Sequence, residues 1–260
     1  MRVEQNDRDA LLATPRFIDR LDDCFFYHAM DLPGFGLVRG QWDLRGRFDD
    51  YIGHVDVAGK SVLDVGTATG FLSFEAEKRG ASRVVSFDMS DARQQAFLPF
   101  KDKLYTRDPE RWAREHAVEV QRWKNAYWLC HRLLESRARV AYGSIYALPA
   151  RLGPFDVVIV GSVLEHLSDP ITALASIARL TGETMTVITP LLPTDERIAR
   201  FEPTADNPDY DFTWWRYSVG VYREVFAMLG FRIAKISQAK YSYMHGGTLE
   251  ERSTIVAVRE

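Results

Sequence analysis

The rhythm of apolar positions changes near residue 60. Before it, Pro15, Pro33 and the cluster Gly34, Gly36 and Gly40 break any period, with aromatics between them. That stretch reads as a helix followed by a loop-rich segment. From Lys60 onward, short apolar runs alternate with amphipathic ones. Ser61 to Val65 reads as a strand, Gly66 to Gly70 as a small-residue turn, and Phe71 to Arg79 as a helix ended by Gly80. Further strands are expected at Arg83 to Phe87, closed by Asp88, and at Val140 to Tyr142, Asp156 to Val160 and Thr184 to Thr189. The run Asp156 to Val160 is almost wholly apolar, as a parallel strand covered on both faces should be. Helices fit Ile171 to Leu180 and Tyr222 to Leu229. Phe231 to Ile236 and Thr254 to Val258 complete the sheet as an antiparallel pair. Strands alternating with helices at this spacing predict an α/β, doubly wound sheet.

Two stretches exceed the minimal unit. Residues 91–138 separate the second and third strands by far more than one crossover needs. Asp108 followed by Pro109 is a helix start, a side-chain cap with proline at the first helical position. The second stretch, 190–218, carries Pro193, Pro203 and Pro208 and the aromatic run Phe212, Trp214, Trp215, Tyr217. The expected organisation is an extension over 1–53 and a main domain over 54–260 that carries a helical insertion at 91–138 and an aromatic loop at 190–218.

Composition narrows the classes of function. With 260 residues, 46% hydrophobic and 27% charged, the chain can bury a sizeable core. The net charge of −3 gives no whole-chain basic field, which counts against a nucleic-acid partner. Cys24 and Cys130 lie far apart outside any CxxC, so no metal site is expected from them. The opening MRVEQNDRDALL has no basic segment leading into an apolar run, and no apolar stretch approaches the length of a bilayer span. A cytoplasmic protein without a membrane partner is expected.

The candidate chemistry lies where the first two strands end. In open α/β sheets ligands bind outside the carboxyl ends of the strands, where the strand order reverses. The first strand runs into Asp64-Val65-Gly66-Thr67-Ala68-Thr69-Gly70, whose small residues let the backbone approach a ligand closely. This is not the GxGxxG that seats a pyrophosphate, which disfavours a nicotinamide dehydrogenase. Asp88 ends the second strand, where an ionised carboxylate accepts charge-assisted hydrogen bonds from both hydroxyls of a ribose.

The runs DVGTATG, FDMS and FDVVIVGSVLEHLSDP resemble the first, second and fourth motifs of the class I S-adenosylmethionine-dependent methyltransferases. The likeness covers about Ser61 to Pro190, interrupted by the insertion. It implies a Rossmann-like, seven-stranded sheet and S-adenosylmethionine as cofactor. The methionine part would lie against Asp64, Gly66, Thr67 and Gly70, the ribose on Asp88, and adenine near Met89, Ser144 and Ile145. Gly161 and Ser162 would line the sulfonium end. In this chain Ala68 replaces the usual middle glycine, which suits a negative φ there, and Ser144 stands where an acid often follows the third strand. FYHAMDLPGFGLVRGQWDLR together with FTWWRYS is similar to a bacterial group related to the tRNA wobble-uridine carboxymethyltransferases. That family grips a carboxylated cofactor with cations ahead of the first motif; over Phe25 to Trp42 this chain offers only Arg39.

Methyl transfer is a direct displacement that mainly needs alignment and exclusion of water, and an oxygen nucleophile adds a need for a base. His166 and His28 are the candidate catalytic residues, with Glu165 and His245 behind them. Each has bracing or packing as its competing reading. Trp214, Trp215 and Arg216 are the candidate acceptor-binding residues, against the alternative of a hydrophobic plug. The stripe Trp112, Trp123, Tyr127 and Trp128 reads as packing of the inserted helices. No metal-ligand set stands near the fourth strand. The expected function is methylation of a small molecule, a glycan or secondary metabolite. Wobble-uridine modification of tRNA and a non-catalytic nucleoside-binding module are the alternatives, and oligomeric state is left open.

Overall fold

The computed structural model describes residues 10–260. The expected N-terminal helix is not found in the described part of the extension. Leu21–Asp23 forms one short 3-10 turn, and β1 (Met30–Leu32) and β2 (Gly36–Val38) pair as a small antiparallel hairpin. β3 (Trp42–Asp43) and α1 (Phe48–Tyr51) follow. The alternating core comprises β4 (Ser61–Val65), α2 (Phe71–Lys78) and β5 (Arg83–Asp88). The insertion contributes α3 (Leu104–Arg107) and the 25-residue α4 (Pro109–Leu133), capped by the Asp108 carboxylate accepting from the Arg111 amide, with Pro109 in the first turn. Then come β6 (Arg139–Tyr142), β7 (Phe155–Gly161), α5 (Pro170–Ala178) and β8 (Thr181–Thr189). The aromatic loop carries a small ribbon of β9 (Ala199–Phe201) and β10 (Trp215–Tyr217). The chain finishes with α6 (Val219–Met228) and a long antiparallel hairpin of β11 (Phe231–Tyr243) and β12 (Thr248–Arg259).

The sheet order is β3-β11-β12-β8-β7-β4-β5-β6. Seven of these strands are those read from the sequence. The eighth, β3, comes from the extension and pairs Trp42 with Tyr243 and Asp43 with Ser242 at the sheet edge. The chain leaves β4 for β5 and β6 on one side, then crosses to β7 on the other. This reversal places the switch point between β4 and β7, both parallel neighbours at their carboxyl ends.

One core cluster joins α2 and α4 to residues of the extension, including Phe26, Met30, Leu44 and Phe48; the second, on the other face, joins α5 and α6. The core therefore does not part at residue 53. Among the described residues no helix is long and apolar enough to cross a membrane.

Candidate functional site

The turn after β4 is held by its own acid. The Asp64 side chain is fully buried, and its Oδ2 accepts from the hydroxyls of Thr67 (2.7 Å) and Ser73 (2.8 Å). Its Oδ1 is buried without a partner. Burial pushes the carboxyl up to about 6, against the lowering effect of the two hydroxyls. Gly66 and Gly70 both have positive φ, and a Cβ on Gly66 would meet Val163 Cγ2 at 2.3 Å. Glycine thus lets the β4 turn close against the turn after β7. Ala68 also has positive φ, +49°, contrary to the negative value expected. Its amide donates to Asp88 Oδ2 at 2.7 Å, a charge-assisted bond that offsets the cost of the left-handed conformation.

Asp88 thereby sits at the end of β5 with both oxygens oriented, Oδ1 accepting from the Met89 amide at 2.7 Å. Burial raises its pKa, and the two amide bonds work against that rise. A narrow crevice is lined by Thr67, Ala68, Asp88, Met89 and Tyr142. Its other wall is α4, through Val120, Trp123, Lys124 and Tyr127. Trp123 therefore lines this crevice, which helical spacing alone did not distinguish from packing. Tyr127 and Trp128 are buried core, as expected. Ser144 caps the short turn Ile145–Ala147, accepting from the Tyr146 amide at 3.3 Å.

A methyltransferase-domain family matches residues 44–234. The chain belongs to that family. This methyltransferase is 29% identical over 153 residues to the ubiquinone biosynthesis O-methyltransferase of Neisseria meningitidis, covering 54% of this chain. The chain spans about half the length of the curated relatives it matches, 51% of that protein. Its fold is similar to the magnesium protoporphyrin IX methyltransferase of Synechocystis PCC 6803 with bound SAH, with TM-score 0.53, 14% identity and coverage of 82% of this chain and 80% of that one. It is also similar to an S-adenosylmethionine-dependent methyltransferase from Mesorhizobium loti, with TM-score 0.51, 12% identity and coverage of 83% and 100%. The Synechocystis enzyme is seen with bound SAH and with bound SAM. The residues here fit S-adenosylmethionine: the orphaned Asp64 Oδ1 suits an ammonium group and the half-buried Asp88 carboxylate suits ribose hydroxyls.

The extension also meets the turn after β4. The His28 amide donates to Thr69 Oγ1 at 3.0 Å, and His28 Nδ1 lies 3.1 Å from the same oxygen. Burial drives the His28 pKa down to about 3, so the ring is neutral. Tyr51 reaches Ser162, with 3.1 Å between hydroxyls, and Ser162 has φ +52°. Gly161 stands beside the Tyr51 ring. Glu165 is buried, with its Oε2 3.3 Å from Thr189 Oγ1. His166 is half-buried, and its Nδ1 lies 2.6 Å from the Phe212 carbonyl. A carbonyl only accepts, so Nδ1 carries the proton and Nε2 holds the free lone pair.

The aromatic loop meets both other segments. Trp214 donates from its amide to the Glu165 carbonyl (2.8 Å) and from Nε1 to the Ala96 carbonyl (3.0 Å). Trp215 donates from Nε1 to the Ser168 carbonyl (3.1 Å) and packs on the second core cluster. Arg216 is paired with Glu202, Nε to Oε1 at 3.2 Å. Of the three acceptor candidates, Trp214 faces the junction of segments, while Trp215 and Arg216 are engaged within the fold. His245 lies in the turn between β11 and β12, its ring beside Tyr243, which in turn packs on Trp42.

Proposed function

We propose that this methyltransferase methylates a small-molecule acceptor by direct displacement, with His166 as the base. The observation that carries the reading is the Nδ1–Phe212 carbonyl contact, which fixes the tautomer and leaves Nε2 free at the carboxyl end of β7. The name of the Neisseria relative, an O-methyltransferase, supports an oxygen nucleophile. S-adenosylmethionine supplies a methyl group on a positive sulfonium, whose charge disperses during transfer. Asp88 and Asp64 hold the two ends. Tyr51, Ser162 and the buried His28–Thr69 contact close the space against water. His166 accepts the acceptor's proton as the oxygen–methyl bond forms.

One observation favours a second reading, transfer of a carboxymethyl group. Arg39 is exposed and does not supply the cation that a carboxylated cofactor needs. Arg252 on β12 lies over the Trp42 ring, 4.7 Å from its centroid, with its Nε buried and unbonded. Its charge is felt at the buried hydroxyls of Tyr27 and Tyr51.

Incubation with methyl-labelled cofactor and separate pools of phenols, sugars and bulk tRNA tests the assignment. Label is expected in a low-mass product. His166→Gln should lower the rate by about 10²–10³-fold, with SAH affinity within about twofold of wild type, the margin of a contact not made to the cofactor. Label in tRNA, or tighter binding of carboxy-S-adenosylmethionine that Arg252→Gln abolishes, would transfer the conclusion to the second reading. An unchanged rate in His166→Gln removes it as the base.

A further inference from the structure

We infer that Tyr51, the last residue of α1, is a positioning residue for methyl transfer: its hydroxyl holds Ser162 in a left-handed backbone conformation, and that conformation sets the path of the turn after β7 toward the transferred methyl. The inference rests on the proposed reading, in which the cofactor's methyl and the base His166 both lie at the carboxyl end of β7.

The backbone carries the first part. Four non-glycine residues among those described have positive φ: His54, Ala68, Glu135 and Ser162. Such conformations are costly for L residues and persist only where the surroundings impose them. His54 and Glu135 follow the ends of α1 and α4, the usual place for a left-handed residue. Ala68 and Ser162 lie instead in the turns after β4 and β7, the two strands of the switch point. Each is held by a side chain from elsewhere, Ala68 by Asp88 and Ser162 by Tyr51, whose hydroxyl lies 3.1 Å from Ser162 Oγ. The Ser162 amide donates to the Ile188 carbonyl at 2.8 Å, so the residue is tied on both sides.

The seating of Tyr51 carries the second. Its carbonyl accepts from the Thr254 hydroxyl of β12 at 3.0 Å, and the Ile52 carbonyl accepts from the Thr186 hydroxyl of β8 at 3.1 Å, both bonds being buried. The ring meets Tyr241 edge-on, with centroids 5.0 Å apart, and lies beside Gly161. The hydroxyl therefore cannot follow Ser162 if the turn relaxes. Burial pushes its pKa above the ordinary phenol range, so it stays protonated and able to donate. A hydrogen bond between neutral groups and the cost of a left-handed serine are of the same order, so loss of the bond releases the backbone.

The turn itself carries the third. Val163 follows Ser162 and closes on Gly66. The His166 amide then donates to the Val163 carbonyl at 3.0 Å, in the 3-10 turn Leu164–His166. A change of φ at Ser162 re-aims both. Asp64 and Asp88 lie on β4 and β5 and keep their own partners. Loss of the Tyr51 hydroxyl thus falls on transfer and on recognition of the methyl, and spares SAH.

Titration calorimetry with S-adenosylmethionine and with SAH, beside initial rates on the acceptor pool that takes label, tests this on the whole chain. Tyr51→Phe and Ser162→Ala should each lower the rate about tenfold and weaken S-adenosylmethionine about fivefold, with SAH held within about twofold. Ser162→Ala keeps the Cβ that resists positive φ, whereas Ser162→Gly removes the hydroxyl and the resistance together. Ser162→Gly should therefore be at least about threefold faster than Ser162→Ala, and adding Tyr51→Phe to it should cost less than about twofold. The ratio of the two cofactor affinities should follow the rates. Far-ultraviolet circular dichroism and melting establish that each variant is folded. A rate and an affinity ratio unchanged in Tyr51→Phe overturn the inference. So does Ser162→Gly as slow as Ser162→Ala, which would make the serine hydroxyl a direct contact, and so does a full loss when Tyr51→Phe is added to Ser162→Gly. A wild-type rate in His166→Gln, or label in tRNA, removes the proposed reading and leaves the affinity ratio to decide on Tyr51.

Discussion

At the scale of single residues, His28 and Asp64 titrate against one another. Burial lowers His28 to about 3. Below about pH 6.5 the unfolded chain therefore binds a proton that the folded chain refuses, and stability falls by about 1.4 kcal/mol per pH unit. Burial raises Asp64 to about 6. Here the folded chain takes the proton first, so stability rises as pH falls through 6 towards the ordinary carboxylate value. Between pH 6 and 4 the two slopes are opposite and nearly equal. Urea unfolding at pH 7 and pH 4.5 separates them. His28→Gln should gain about 2–3 kcal/mol on acidification relative to wild type, and Asp64→Asn should lose about as much. Identical profiles in wild type and both variants would show that neither group is buried as described. Asp64 and Asp88 were legible in the sequence because an acid at a strand end before a small-residue turn has a recognisable setting. The left-handed Ala68 was not, because its φ is set by the carboxylate of Asp88 twenty positions away.

At the scale of elements, local signals were read well and pairings at a distance were not. Asp108 and Pro109 begin α4 because a side-chain cap and a fixed φ act within one turn. β3 is two residues long and has no period of its own, so only Ser242 and Tyr243 define it as a strand. β11 and β12 continue well past their apolar stretches, since each satisfies the other's backbone in a hairpin that extends beyond the pairing with β8. The clasp between the insertion and the aromatic loop is equally hidden. Tyr105 donates to Asp211 Oδ2 at 2.9 Å, Lys103 pairs with Asp209 at 3.1 Å, and the Leu98 amide donates to the Asp211 carbonyl. Phe212, which orients His166, follows directly. Tyr105→Phe removes one hydrogen bond to a charged group, about 1–2 kcal/mol. The loop over 204–212 should then be cut by protease roughly five- to thirtyfold faster, the same free energy expressed as an opening equilibrium. Methyl transfer should fall with SAH affinity unchanged. Wild-type cleavage and turnover in Tyr105→Phe would show that the clasp does not hold the loop.

At the scale of the molecule, the extension read as distinct from the main domain shares its core. Cys24, Phe26, Met30 and Leu32 are buried in the same cluster as α2, α4 and β4. The strap is tied to α4 by main chain as well as side chains. The Phe25 amide donates to the Arg122 carbonyl, and Asn125 Nδ2 donates to the Asp23 carbonyl at 2.8 Å. A Cβ on Gly40 would fall 2.3 Å from the His28 carbonyl carbon, so the segment passes too close for any side chain there. Periodicity could not reveal this, because a strap without regular structure buries residues by path rather than by face. We therefore expect a chain starting at Leu44, where the matched family region begins, to lose cooperative folding. Burying Phe26, Met30 and Leu32 alone contributes about 5–8 kcal/mol at 1.5–3 kcal/mol per large apolar side chain, comparable with the whole stability of a domain. Calorimetric melting of the truncated and full chains decides it, with SAH titration as the second readout. A broad or absent transition with no SAH binding is the expected result. A truncated chain that melts cooperatively at the full-length temperature and binds SAH normally would mean that residues 1–43 are a separable cap, and the His28–Thr69 contact would have no part in the cofactor site.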